Sequence, residues 1–252
     1  MKRLYWLLPL LLIMGGVFLQ AQTAPGTTLP SVTIDFGKSP QGPALSSTLQ
    51  LVLLLTVLTL APTILVTTTC FTRIIVVLHF LRQGMGTTQT PSNQVLISLA
   101  LVMSFFVMAP VGREIYQQVI QPLERNELTM DQAMDRTAAP LKVFMLKYTR
   151  KKDLALFFSI AKRPAPQTKA DVTLDVLLPA FMISELKTAF EIGFMIFLPF
   201  LIIDMVVASI LLSMGMMMLP PVVISMPFKI LLFVLVDGWN LIVGSLVKGF
   251  TG

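Results

Sequence analysis

Residues 179–239 read PAFMISELKTAFEIGFMIFLPFLIIDMVVASILLSMGMMMLPPVVISMPFKILLFVLVDGW. Two apolar segments, each long enough to cross a hydrocarbon core of about 30 Å, flank a tight connection of Met, Gly and Pro. That pattern is a membrane hairpin. Its polar content sets it apart from a plain anchor: Glu185, Glu191 and Asp204 lie in the first arm, Lys229 and Asp237 in the second. Ionisable groups at membrane depth are costly, so they face a protein interior, a partner chain or a watery path. The connection, Ser213-Met214-Gly215-Met216-Met217-Met218, places adaptable apolar side chains where a soluble turn carries Asn, Asp or Ser. Counting outward from a turn centred near Met217 sets Asp204 level with Lys229, which predicts a buried, paired Lys229; the competing reading has its long stem snorkel to a headgroup.

The rest of the chain fits a membrane setting. Hydrophobic residues make up 55% and charged residues only 13%, with a mean hydropathy of +0.80, against about 25% charged in soluble domains. The net charge of +6 sits beside apolar segments and builds no basic patch interleaved with aromatics, so it reads as membrane topology and not as nucleic-acid binding. Cys70 is the single cysteine and lies in an apolar run, which excludes an intrachain disulfide.

Upstream, Lys2 and Arg3, the apolar Leu7–Leu19 and the small Ala21 predict a signal peptide over 1–21, cleaved so that the mature chain starts near Gln22; an uncleaved first helix is the alternative. Residues 22–44 form an extracytoplasmic arm rich in Thr, Pro and Gly, with a strand-like patch at Val32–Phe36. Residues 45–111 form a first helical hairpin. Its Leu45–Leu81 run would be about 55 Å long as one straight helix, so it must tilt, break or leave the membrane. The expected kink is at Pro62 and Thr67-Thr68-Thr69-Cys70, where hydroxyls can re-satisfy freed carbonyls. Arg73, His79 and Arg82 precede the polar turn 83–91, and no compensating acid is expected within their reach. The positive-inside rule therefore places that turn in the cytoplasm, with Arg73 and Arg82 as its charges. Val95–Val111 returns as the second span, capped at Ser92 or Asn93, with Pro110 near its end.

Residues 112–178 carry eleven Lys or Arg and eight Asp or Glu and are expected to be extracytoplasmic helices. Thr129-Met130-Asp131-Gln132 fits a capping box, and Leu141, Phe144, Met145 and Tyr148 share one helical face. Phe157 and Phe158 extend this packing surface, which makes the segment an assembly surface; Pro164 and Pro166 end it. The second hairpin, with its Met-rich loop, occupies 179–252. The fold class is thus an all-α integral membrane protein: a cleaved signal peptide, four kinked membrane-type helices arranged as hairpins, and one extracytoplasmic helical segment.

The runs PAFMISELKTAFEIGF, PFLIIDMVVASILLSMGMMMLPP and PFKILLFVLVDGW resemble the signature region of the FliP family of flagellar export-gate proteins. Upstream, TRIIVVLHFLRQGMGTTQTPSNQVLISLALVMSFFVMAP is similar to the same family, so the resemblance covers residues 45–250. It implies a pore-forming subunit of the flagellar type III export gate in the bacterial inner membrane and flagellar basal body. It further implies a homo-pentamer joined by FliQ and FliR, with FlhA and FlhB as export components and unfolded flagellar subunits as cargo. Family members carry a Met-rich loop at this place that looks like a gasket. The resemblance therefore assigns the narrowest ring of the pore to Met216, Met217 and Met218, supported by Met214, the alternative being hairpin filler. The helical stagger of such assemblies also makes Glu185 of a neighbouring subunit a second possible partner for Lys229.

Energy in that family comes from partner proteins and the proton motive force, so neither cofactor nor ATP site is expected. One His and one Cys cannot build a structural zinc site, and H-E-x-x-H and G-x-S-x-G are absent, which argues against an enzyme. Asp204 and Asp237 lack any protease context. A virulence-type secretion gate shares the fold and stays open as an alternative. A small-solute transporter is a further alternative, compatible with kinks at Pro62, Pro199 and Pro227 but without an internal repeat.

Overall fold

In the computed structural model, residues 47–251 are described, apart from 88, 165, 170 and 217. The expected signal peptide, the N-terminal arm and the strand-like patch at 32–36 lie outside the described residues. Every regular element among the described residues is helical: α1 (Ser47–Thr68), α2 (Phe71–Gly84), α3 (Asn93–Ile115), a π-helical turn (Tyr116–Ile120), α4 (Gln121–Glu124), α5 (Met130–Tyr148), α6 (Lys151–Ile160), α7 (Leu174–Ser213), α8 (Pro221–Leu235) and α9 (Gly238–Thr251). The packing described below lies within one compact unit, Leu51–Gly252.

The Thr-Cys run, and not Pro62, ends α1. Thr68 and Thr69 donate their hydroxyls to the carbonyls of Ile64 and Leu65, at 2.8 and 2.7 Å, and Thr72 donates to Val66 O at 3.0 Å. Thr69 Oγ then accepts from the Phe71 N–H at 3.3 Å, so one threonine serves both helix ends. The hydroxyls replace the amides a continuing helix would supply, and α2 departs at 71°. Pro62 lies inside α1, while Pro199 and Pro227 lie inside α7 and α8, so the kinks expected at these prolines do not break the helices. The second bend, 64° between α8 and α9, falls at Val236-Asp237, with Asp237 at φ 51°. Two helical stretches, Asn93–Glu124 and Leu174–Ser213, are long and apolar enough to cross a membrane, and each bent pair makes up a further span if it is counted as one.

The spine is α7, on which α2, α5, α6 and α8 all pack. On α2, Phe71, Ile74, Val77, Leu78 and Leu81 recur at three- and four-residue steps and are buried, while His79 and Arg82 are half-buried. Close approach needs a residue without a side chain at Gly193 of α7. A Cβ there would lie 2.5 Å from Cδ2 and 2.6 Å from Cγ of Phe80. Phe80 cannot swing aside at its root, because its ring also stacks edge-on against Phe190 at 5.3 Å. Gly193→Ala should therefore destabilise by about 1–3 kcal/mol, read as a lower melting midpoint of the detergent-purified protein. An unchanged midpoint would show that the α2–α7 seam has slack.

The polar segment follows its sequence reading in part. Thr129 and Gln132 form a reciprocal capping box at the start of α5, and Phe144 and Met145 are buried with Leu141 and Tyr148 half-buried. The positions 111/112 and 178/179 both fall within helical stretches. Helix α3 runs through Pro110 into the π-helical turn, and α7 begins at Leu174.

Candidate functional site

The hairpin tip is built by Gly and Pro at its two ends. Met214 closes α7, and Gly215 takes φ +74°, a conformation that favours glycine. The N–H of Met216 then reaches Leu211 O at 3.0 Å and the N–H of Gly215 reaches Leu212 O at 3.1 Å, the paired bonds of a Schellman end. Pro221 opens α8 at its first position, where no backbone donor is needed. Between these ends Met214 and Met216 are exposed, and Met218 is 98% exposed. Met217 lies outside the described residues.

Behind the tip, Lys229 is 2% exposed and its Nζ lies 2.6 Å from Asp204 Oδ2. Ser225, one turn before Lys229, donates to the other carboxylate oxygen. Both oxygens are thereby engaged, and the two hairpin arms are joined by one charged cluster. Within the chain the Lys229 ammonium is turned inward, onto Asp204. Gly86, at φ +78°, brings the turn after α2 against the same ammonium. Of the two candidate partners of Lys229, the structure pairs it with Asp204 of its own chain.

Glu185 is not at this site. It stands about 28 Å up the axis of α7 from Asp204 and is fully buried against Arg73 of α2. Arg73 Nε donates to Glu185 Oε2 at 2.9 Å, and Nη2 donates to the second oxygen. The guanidinium also lies 3.9 Å from the Phe250 ring centroid and 5.5 Å from that of Tyr148, whose hydroxyl donates to Phe250 O. Four helices, α2, α5, α7 and α9, thus meet at one ion pair. The reading of Arg73 as a turn charge without an acid in reach is corrected: its acid is distant in sequence and adjacent in space. Arg82 does serve the turn. It donates to Pro91 O at 3.2 Å and to Asn93 Oδ1 at 2.6 Å, tying the two ends of 83–91 together.

Sequence reasoning missed a third polar cluster. Ser184 of α7 donates to Asp153 Oδ2 at 2.6 Å and accepts from the Arg150 N–H at 3.1 Å. Burial alone would raise the Asp153 carboxyl, but hydrogen bonds from Ser184 and Arg150, with the Arg150 charge, outweigh it and hold the group below the usual carboxylate range. The signal available was Ser184 preceding Glu185 in an apolar helix, two polar residues that each need a partner.

The Met-tipped hairpin and its paired charges lie within residues 54–246, and that span matches the FliP family. The chain belongs to the FliP family. It is 60% identical over 205 residues to the flagellar biosynthetic protein FliP of Bacillus subtilis, covering 81% of this chain and 93% of that one. It is 55% identical over 201 residues to its counterpart in Caulobacter vibrioides, covering 80% and 76%. With that of Aquifex aeolicus the identity is 46% over 243 residues, covering 96% and 97%. Glu185, Asp204, Lys229 and the Met loop all fall within the matched residues 54–246.

Proposed function

We propose that this FliP-family chain is a pore-forming subunit of the flagellar type III protein export gate, passing unfolded flagellar subunits across the bacterial inner membrane while the basal body assembles. The observation that carries the reading is the hairpin tip, a rigidly ended turn whose thioether side chains face outward with nothing polar among them. Such side chains seal irregular contacts without a fixed shape, which suits a constriction that must hold back ions and yet yield to a chain. The relatives' shared name, flagellar biosynthetic protein, favours the flagellar system over the virulence-type gate.

Apolar residues along both arms support a homo-oligomer. Ile202, Val206 and Ile210 of α7 line a groove of about 460 Å³ with Ile224 and Phe228 of α8. On this reading copies stand side by side as a homo-pentamer, with FliQ and FliR as companions in the gate and FlhA and FlhB as further export components. No catalytic step is assigned to the chain.

Replacing Met216, Met217 and Met218 together by Ala should leave assembly intact and raise ion leakage of cells severalfold. Unchanged leakage in a stable, assembled variant would overturn the gasket. An image of the purified assembly with no central pore, or solute uptake in liposomes by the chain alone, would overturn the export reading.

A further inference from the structure

The turn that closes α2 rests on both arms of the Met-tipped hairpin. Phe200 of α7 and Phe233 of α8 stand one helical turn farther from the tip than Asp204 and Lys229, so the two rings are level across the hairpin. They are buried in a small apolar cluster beside the main core, whose other buried members are Leu81 near the end of α2 and Met85 just beyond it. The glycines on either side of Met85 permit the close approach. At Gly84 a Cβ would lie 2.7 Å from Phe200 Cδ2, so the backbone there sits on the α7 arm. At Gly86 a Cβ would meet Val222 Cγ1 at 3.6 Å and Lys229 Nζ at 4.0 Å, which sets this end of the turn on α8. Gly84-Met85-Gly86 thus touches α7 at one end and α8 at the other, and its middle side chain is buried with both phenylalanines.

The turn keeps its shape without help from the hairpin. The N–H groups of Met85 and Gly86 donate to Leu81 O and Gln83 O, both at 3.0 Å, and the Thr87 hydroxyl donates to Arg82 O at 3.2 Å. The Arg82 guanidinium then ties in Pro91 and Asn93. None of these bonds uses an atom of α7 or α8. Helix α8 packs chiefly on α7 and on its own continuation α9, and at the α2 turn the first hairpin reaches it. Two arms joined by a short connection and one charged cluster can pivot about that cluster, and a stiff body packed against both arms stops the pivot.

We propose that Gly84-Met85-Gly86 is the brace of the hairpin, with Met85 as a positioning residue that fixes α8 against α7 and thereby sets where Met214 to Met218 stand. It rests on the export-gate reading only for its consequence, that the seal at the tip fails when the brace is altered.

The set of the hairpin can be read with a short bifunctional thiol reagent on the full chain in detergent carrying Ile210→Cys and Ile224→Cys, two positions that line one groove between the arms. The native Cys70 is buried. Met85→Ala thins the brace, and Gly84→Ala thickens it by one methyl where Phe200 leaves no space. Each should change the yield of the intrachain bridge severalfold, whereas Met85→Leu, of similar volume, should stay near the parent. Ion leakage of cells, scaled to assembled protein, should rise severalfold in Met85→Ala. Val77→Ala, a truncation in the main core, should lower the melting midpoint and move neither the bridge nor the leakage. A parent-like bridge in both Met85→Ala and Gly84→Ala, or an equal change in Val77→Ala, overturns the brace. Leakage from the Met216, Met217 and Met218 triple without any from Met85→Ala overturns it too. A changed bridge with no leakage from either variant supports the brace and sinks the gasket instead. Should Met85→Ala fail to fold, Gly84→Ala, which keeps every apolar side chain, decides through the bridge.

Discussion

Arg73→Met should abolish recovery of monodisperse protein, or lower its melting midpoint more than any other substitution in α2. The change leaves Glu185 as a carboxylate that is fully buried with no cation beside it. Removing one partner of a buried ion pair typically costs about 3–5 kcal/mol, a large share of the 5–15 kcal/mol that holds an ordinary domain folded. Two further losses add to it, because the guanidinium also stacks on Phe250 and Tyr148 and so joins α9 and α5 to the α2–α7 seam. Arg73→Lys should recover only part, since an ammonium cannot reproduce the fork to both carboxylate oxygens. Arg73→Met combined with Glu185→Leu should restore much of the loss, because two apolar groups leave no unpaired charge. A parent-like midpoint for Arg73→Met alone would show that the pair contributes nothing to this fold.

The ease with which the two ion pairs can be found in the sequence differs sharply, and the cause is chain distance. Asp204 and Lys229 flank a single turn, so helical rise alone brings them level, and counting outward from the Met loop finds the pair. Arg73 and Glu185 are 112 positions apart on helices that are not neighbours in sequence. Nothing in hydropathy fixes the register of α2 on α7. The positive-inside rule counts a cation without asking what it touches, so Arg73 joined Arg82 as a turn charge. The prolines do not end helices. A proline removes one donor, and in apolar surroundings neighbouring hydroxyls and packed helices can absorb that loss, so α1, α7 and α8 run through Pro62, Pro199 and Pro227. The threonine run before Cys70 was the better signal, because several adjacent hydroxyls can take over several carbonyls at once. The hairpin, its Gly-to-Pro turn and the capping box were legible because each depends on residues within a few positions of one another.

Lys229→Ala should cripple assembly and export, and the geometry ranks it against its neighbours. Without the ammonium, Asp204 keeps only the Ser225 hydroxyl on one oxygen. The unpaired carboxylate should cost about 3–5 kcal/mol, whereas Ser225→Ala removes one hydrogen bond to a charged group and should cost about 1.5–3 kcal/mol. The order of severity in oligomer yield is therefore Lys229→Ala, then Ser225→Ala, with Lys229→Leu plus Asp204→Leu milder than the first. Exchanging the charges, Lys229→Glu with Asp204→Lys, should restore yield in part, since the two positions face each other across the hairpin. Glu185→Lys should fail to rescue Lys229→Glu, because position 185 faces Arg73 and a lysine there sets two buried cations together. Rescue by that second combination would place the working partner of Lys229 on a neighbouring subunit. If Lys229→Met assembles and exports as well as the parent, the charge at the base of the hairpin has no structural role.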